Sequence, residues 1–315
     1  RLYAQPVSGM DNVSLSLKWL AQSQFAGYYA ALEKGFYREE GINLEIKPGA
    51  PDINPQSLVS AGVSDFGIQW IADLFAERDR GVPVISIAQI YQSSGLMLVS
   101  RSDSGIKTPH DFKGKKIGIW FFGNETQFYS LLRKLGINQE EVNVYPLRAS
   151  IRPFLDKSYD VINAMSYNEY LRILDAGYRK EDINIIDFSD YGLEFPGDAL
   201  FTTDETAYGN PGLCERMVRA SIKGWKWALE NKEEAADIVL RHDKSQTLKK
   251  TQQIKQLEEI SRLIDQENIP LGFHRPETTE KVYNILLENR IINGRAGVSS
   301  MYTNSIWERA VSNIR

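Results

Sequence analysis

The sequence predicts an α/β protein of two lobes, with a ligand cleft between them and a helical C-terminal tail. Three observations carry this. Short alternating apolar runs are followed repeatedly by segments of helical spacing, in two successive series of three to four strand–helix units. Beyond Pro211 the pattern is helical throughout. The chain has 315 residues, 42% hydrophobic and 25% charged, enough to bury two sizeable cores.

Residues 1–12 read as a polar tether. Val13, Leu15, Leu17 and Trp19 then alternate as one face of a strand over 13–19. Ser23 suits an N-cap, and Phe25, Tyr28, Tyr29 and Leu32 recur at helical spacing up to Gly35, which suits a C-cap. A strand is expected at 42–46. Asn54-Pro55 reads as a cap with a first-turn proline, opening a short helix to Gly62. Residues 65–70 form a strand, a charged helix follows to Gly81, and 84–91 and 96–100 are two more strands.

The second series starts near Gly105 with a helical turn and a strand over 115–120. Asn124 caps a helix whose apolar residues Phe128, Leu131, Leu132 and Leu135 share one face, closed by Gly136. A strand at 142–145, a short helix around Phe154, a strand at 161–165 and a helix at 167–176 repeat the rhythm. Strands at 183–188 and 199–203 follow, then helices around 218–229, 234–240, 254–264, 282–287 and 306–311. Alternation of this kind implies mostly parallel sheets. Residues 13–102 with 200–315 would make one lobe and 103–199 the other, hinged near 101–105 and 197–203.

Ligands in such sheets sit at the carboxyl ends of strands. There the sequence places Trp19 with Gln22 and Gln24, then Gln69-Trp70, then Tyr91-Gln92-Ser93. It also places Trp120-Phe121 with Asn124-Glu125, and Tyr167-Asn168-Glu169. Taken singly, each ring reads as a packing residue. Five strand ends that each pair an aromatic with amides, hydroxyls or carboxylates describe a cleft that stacks a flat ring and bonds its edge. These loops contain no Lys or Arg, which favours a neutral or weakly basic ligand over a sulfonate or phosphate. Arg148 and Arg152 are the nearest exceptions, and read as solvated. Glu169 is either an acceptor for a ligand's donors or an ordinary first-turn residue.

Other classes fall away. Lys+Arg of 37 against Asp+Glu of 41 gives a net charge of −4, without the basic excess of a nucleic-acid binder. No run approaches 18 apolar residues. Cys214 is the sole cysteine, and three histidines without close partners make a zinc site unexpected. No nucleophile elbow, P-loop or dinucleotide fingerprint occurs, so no catalytic residue and no cofactor are expected. The sequence begins at Arg1 rather than at Met, as expected after removal of an export signal or after simple trimming.

The run QFAGYYAALEKGFYREEGINLEI (24–46) and the phrases SAGVSDFGI (60–68), SGIKTPHDFKGKKIGIW (104–120) and NAMSYNEY (163–170) carry a family resemblance. They resemble the thiamine-precursor-binding and alkanesulfonate-binding superfamily, the type II periplasmic solute-binding proteins of ABC transporters. The resemblance runs over 13–226. It implies a two-lobed type II periplasmic-binding-protein fold, a monomer delivering a small heteroaromatic ligand to a membrane permease, and no catalysis. It also implies a place in the periplasm, or a lipid anchor on the outer face of the cytoplasmic membrane. In the pyrimidine-binding branch the tryptophan ending the first strand stacks on the ligand, and Trp19 stands there. Tyr167-Asn168-Glu169 matches the segment that reads the aminopyrimidine edge. The related eukaryotic pyrimidine synthases carry a cysteine cluster, absent here, and a histidine roughly where Phe25 stands. Both departures count against synthase activity. QFAGYY and FGNE look closer to a branch associated with riboflavin uptake, so a thiamine-type aminopyrimidine is the first expectation and a flavin the second.

Overall fold

The computed structural model describes residues 9–121, 125–265 and 268–312. Strand β1 (Asp11–Ser16) leads through a 3-10 turn at Ser23–Phe25 into α1 (Ala26–Glu33) and α2 (Phe36–Glu39). Then come β2 (Ile42–Lys47), α3 (Pro55–Ser60), β3 (Phe66–Trp70), α4 (Ile71–Asp79) and β4 (Val84–Gln89). The middle of the chain forms β5 (Leu96–Arg101), β6 (Lys116–Ile119), α5 (Thr126–Lys134), β7 (Asn143–Pro146) and α6 (Arg152–Leu155). It continues with β8 (Val161–Met165), α7 (Glu169–Asp175) and β9 (Ile183–Asp187). Strand β10 (Asp198–Thr203) returns, followed by α8 (Asp204–Gly209), α9 (Pro211–Glu230), α10 (Lys232–His242), α11 (Lys250–Ile264), α12 (Pro276–Glu288) and α13 (Ser305–Ser312).

The strands make two five-stranded sheets, ordered β2-β1-β3-β10-β4 and β7-β6-β8-β5-β9. Each is mixed rather than mostly parallel. Strand β10 runs antiparallel to β3 and β4, and β5 runs antiparallel to β8 and β9. These two strands are where the chain enters a sheet from the other side of the molecule, so they run against the βαβ units around them. Strand β5 lies inside the second sheet, although the boundary read from the sequence left it in the first lobe. The run LMLVS carries no signal of which sheet it joins, because a central strand is apolar in either. The chain therefore crosses between the sheets at 90–95, ahead of 101–105, and returns before Asp198.

Local chemistry explains most element ends. Asn54 Oδ1 accepts from Ser57 N–H at 2.9 Å with Pro55 at the first helical position. Gly35, at φ +83°, takes the left-handed turn after α1. Ser23 does not cap α1. Its backbone N–H donates to Gln253 Oε1 at 2.7 Å, so α11 satisfies one of the free N–H groups at this helical start. Asn124 lies outside the described residues, and α5 starts after Glu125.

Helix α9 packs on α1 at backbone contact. A Cβ on Gly27 would come 2.2 Å from the Trp225 ring, and one on Gly224 would come 2.1 Å from the Gly27 carbonyl oxygen. Trp225, Tyr28 and Tyr91 pack edge to face there, with centroids 5.7 and 5.8 Å apart, in the core beneath the first sheet's strand ends.

Candidate functional site

A small, partly open cavity lies between the carboxyl ends of the two sheets. Its walls come from the segment after β1 (Lys18, Trp19, Gln22, Gln24), the end of β3 (Trp70), the end of β6 (Trp120) and the turn from β8 into α7. That turn contributes Met165, Tyr167, Asn168 and Glu169. All of these residues are buried.

Strand β1 ends at Ser16, short of the expected 19, because pairing with β2 gives way to single bonds. Leu17 N–H donates to Lys47 O and Gly49 N–H to Trp19 O, both at 2.9 Å. Freed from the pleat, both Lys18 and Trp19 reach the cavity instead of pointing to opposite faces. Trp19 meets Trp120 edge to face, at 5.7 Å between centroids and 69° between planes. The pair joins the two sheets and is worth about 0.5–1.5 kcal/mol beyond the area it buries. Lys18 Nζ sits 3.3 Å from the centroid of the Trp70 ring. Burial draws its pKa down to about 8, against the opposing pull of Asp198 and Asp73.

The polar groups form two short chains. Gln22 Nε2 donates to Gln24 Oε1 at 2.9 Å, and Gln24 Nε2 donates to Asp198 Oδ2 at 2.8 Å. On the opposite wall, Met165 N–H donates to Glu169 Oε2 at 3.0 Å and Asn168 Nδ2 to Glu169 Oε1 at 2.7 Å. Gln256 Nε2 of α11 donates to Asn168 Oδ1 at 3.1 Å, so the tail steadies this wall. Glu169 is 3% exposed, which removes the reading of it as an ordinary first-turn residue. Burial raises its pKa, and burial likewise raises that of Asp198.

Trp19, Gln22, Gln24, Trp70, Trp120, Tyr167, Asn168 and Glu169 thus meet as the sequence expects. The other named residues stand elsewhere. Gln69 turns back, accepting from Trp70 N–H at 2.8 Å and donating to Gln56 Oε1 at 3.1 Å. Gln92 Nε2 donates to the Gln89 and Phe273 carbonyls at 3.2 and 3.1 Å. Ser93 Oγ donates to Glu194, tying the two crossing segments together. Phe25 is a fully buried core residue, Phe121 packs partly buried against the core, and Glu125 acts on Asp73. Tyr91 stands behind the cavity, edge to face with Tyr167 at 6.2 Å, its hydroxyl donating to Gln24 O at 2.8 Å.

Sequence reasoning missed Lys18, Met165 and Asp198. Lys18 falls inside what reads as an alternating strand, on the face opposite Trp19, where a lysine signals solvent. Its contact with Trp19 in sequence was the one available hint. Arg148 is exposed and the Arg152 side chain is 85% exposed, paired with Asp156 at 3.8 Å, and neither lines the cavity. Outside the cavity, Trp19, Gln22 and Asn168 also line an open groove with Arg172, His242 and Lys244.

Residues 22–235 match the NMT1/THI5-like family model. The formylaminopyrimidine-binding protein of Halalkalibacterium halodurans is 23% identical over 286 residues, covering 88% of this chain and 85% of that protein. The riboflavin-binding protein RibY of Chloroflexus aurantiacus is 25% identical over 250 residues, 76% of this chain and 68% of the relative. Among solved structures, the alkanesulfonate-binding protein SsuA of Xanthomonas axonopodis pv. citri, bound to MOPS, superposes with a TM-score of 0.69 at 12% identity. That match covers 96% of this chain and 99% of the other, a likeness of fold.

Proposed function

The chain belongs to the NMT1/THI5-like family, and on that premise we propose that it is the extracytoplasmic solute-binding component of an ABC importer. Its ligand is a flat heteroaromatic vitamin precursor, a thiamine-type aminopyrimidine first. The observation that carries the reading is the cavity wall: Trp19, Trp70, Trp120 and Tyr167 close from both sheets around one small space, with Glu169 and three amides at its edges. Aromatic faces hold a ring by stacking, and the polar groups at the rim fix its orientation.

The role is capture and release. The lobes hinge at the crossing segments around 90–95 and 194–197, stacking the ring when they close and handing it to a membrane permease when they open. Glu169, with its carboxylate already held by Met165 N–H and Asn168, accepts from the amino group of the ring. The similarity to a formylaminopyrimidine-binding protein supports this choice, and the similarity to RibY keeps riboflavin as the second ligand to try.

A thermal-shift panel of aminopyrimidines, thiamine, riboflavin and an alkanesulfonate tests the reading. Ligand at a hundred times its Kd adds about 2.7 kcal/mol, a rise of several degrees in Tm. A shift with an aminopyrimidine is expected, and Trp19→Ala should weaken that binding by about 1–3 kcal/mol. A shift with the sulfonate alone would overturn the ring-stacking assignment.

A further inference from the structure

Lys18 is a cationic side chain in the cavity wall. It is 4% exposed, yet its ammonium donates no hydrogen bond to any described residue. It rests on the Trp70 face at 3.3 Å and feels Asp198 and Asp73 only through charge. An ammonium carries three N–H donors and no acceptor. A cation over an indole is attracted by the ring face, but the ring covers one side of the group only. A buried donor without an acceptor destabilises the fold, and more so when it is charged.

A second donor in the cavity wall shares this condition. The Trp120 indole Nε1, from the second sheet, is buried with no partner among the described residues. Of the acceptors nearby, both Glu169 oxygens, Asn168 Oδ1 and Gln24 Oε1 already receive protein donors, while Asp198 Oδ1, behind Gln24, is buried without a partner among the described residues and acts on Lys18 through charge alone. Each side of the cleft thus presents a donor with no acceptor in hydrogen-bond contact among the described residues.

We propose that Lys18, together with the Trp120 indole, reads a hydrogen-bond acceptor on the bound ring, a carbonyl or anionic oxygen, and so selects among ring compounds. This rests on the ring-binding function above and names the substituent the ligand carries. Lys18 from the first sheet and Trp120 from the second would then be bridged by the ligand, so that the same acceptor that satisfies both donors holds the cleft shut.

Calorimetric titration of the full chain tests it with three probes. They are an aminopyrimidine bearing a formamidomethyl group, its 5-methyl analogue without the carbonyl, and ethanesulfonate. The wild type is expected to bind the carbonyl compound at least tenfold tighter than the analogue. Lys18→Met, which keeps the side-chain volume and removes the buried charge, should erase that preference, bringing the affinities for the two compounds together. Lys18→Gln, which keeps a donor, should restore part of it. A preference retained in Lys18→Met overturns the assignment while leaving ring binding intact. Binding of ethanesulfonate alone, lost in Lys18→Met, upholds Lys18 as the acceptor reader and overturns the ring. A wild type that binds none of the three overturns both.

Discussion

His274 is a base kept from its proton. The ring is fully buried, with Nε2 2.7 Å from Ser86 Oγ and Nδ1 3.1 Å from Asn304 Oδ1, and burial lowers its pKa to about 4. The unfolded chain's histidine takes up a proton near pH 6.5, so the unfolded state binds more protons between 6.5 and 4. Stability conferred by the neutral ring is present above pH 6.5 and declines as pH falls through that window, by about 3 kcal/mol at pH 4. Urea unfolding at pH 7 and pH 4 checks it: His274→Gln should lose less stability than the wild type over that interval. Nothing in the sequence marks His274, a lone histidine between Phe273 and Arg275. The same holds for Lys18, whose neighbours in sequence describe a strand. Trp19, Trp70 and Trp120 were legible because strand ends are topological positions that periodicity can locate. What each residue touches there depends on the other sheet, and periodicity does not reach across.

The elements follow from local rules wherever those rules act alone. The apolar face of α5, the Asn54-Pro55 start of α3 and the amphipathic tail helices all stand where spacing puts them. Departures occur where a distant segment intervenes: α11 takes the Ser23 N–H, β1 breaks off before Trp19, and β5 joins the second sheet. The approach of α9 to α1 shows why two glycines stand inside helices that gain nothing from them locally, at a cost near 1 kcal/mol each. Gly27→Ala drives a methyl into the Trp225 ring, a rigid neighbour. A loss of about 1–3 kcal/mol is expected, read as a lower urea midpoint. Gly224→Ala meets a backbone carbonyl instead of a side chain and should cost at least as much.

At the scale of the molecule, few polar contacts close the cleft. Thr126 Oγ1 of α5 donates to Asp73 Oδ1 of α4, Gln256 reaches Asn168, and Lys255 pairs with Asp175 at 3.3 Å. The first two are buried. Burial pushes Asp73 up to about 8, and its second oxygen has no partner among the described residues. Thr126→Val keeps the shape and removes the donor, at about 1–3 kcal/mol for a buried acceptor left bare. Small-angle scattering of the ligand-free variant should give a larger radius of gyration than the wild type. An unchanged radius would place the closing force in Trp19–Trp120 and the α11 contacts. The two-lobed plan was readable from the double series of units, but the crossing points were not, because apolar strands look alike in either sheet. Those crossings have one more consequence. Gln89, where the chain leaves the first sheet, is paired with Ala199, where it comes back. Met97 and Asp187, near the two ends of the excursion, are paired as well. Each half begins and finishes on neighbouring strands, so either could be excised and its cut ends sealed by a short hairpin loop. The molecule is one module spliced into another at a single seam.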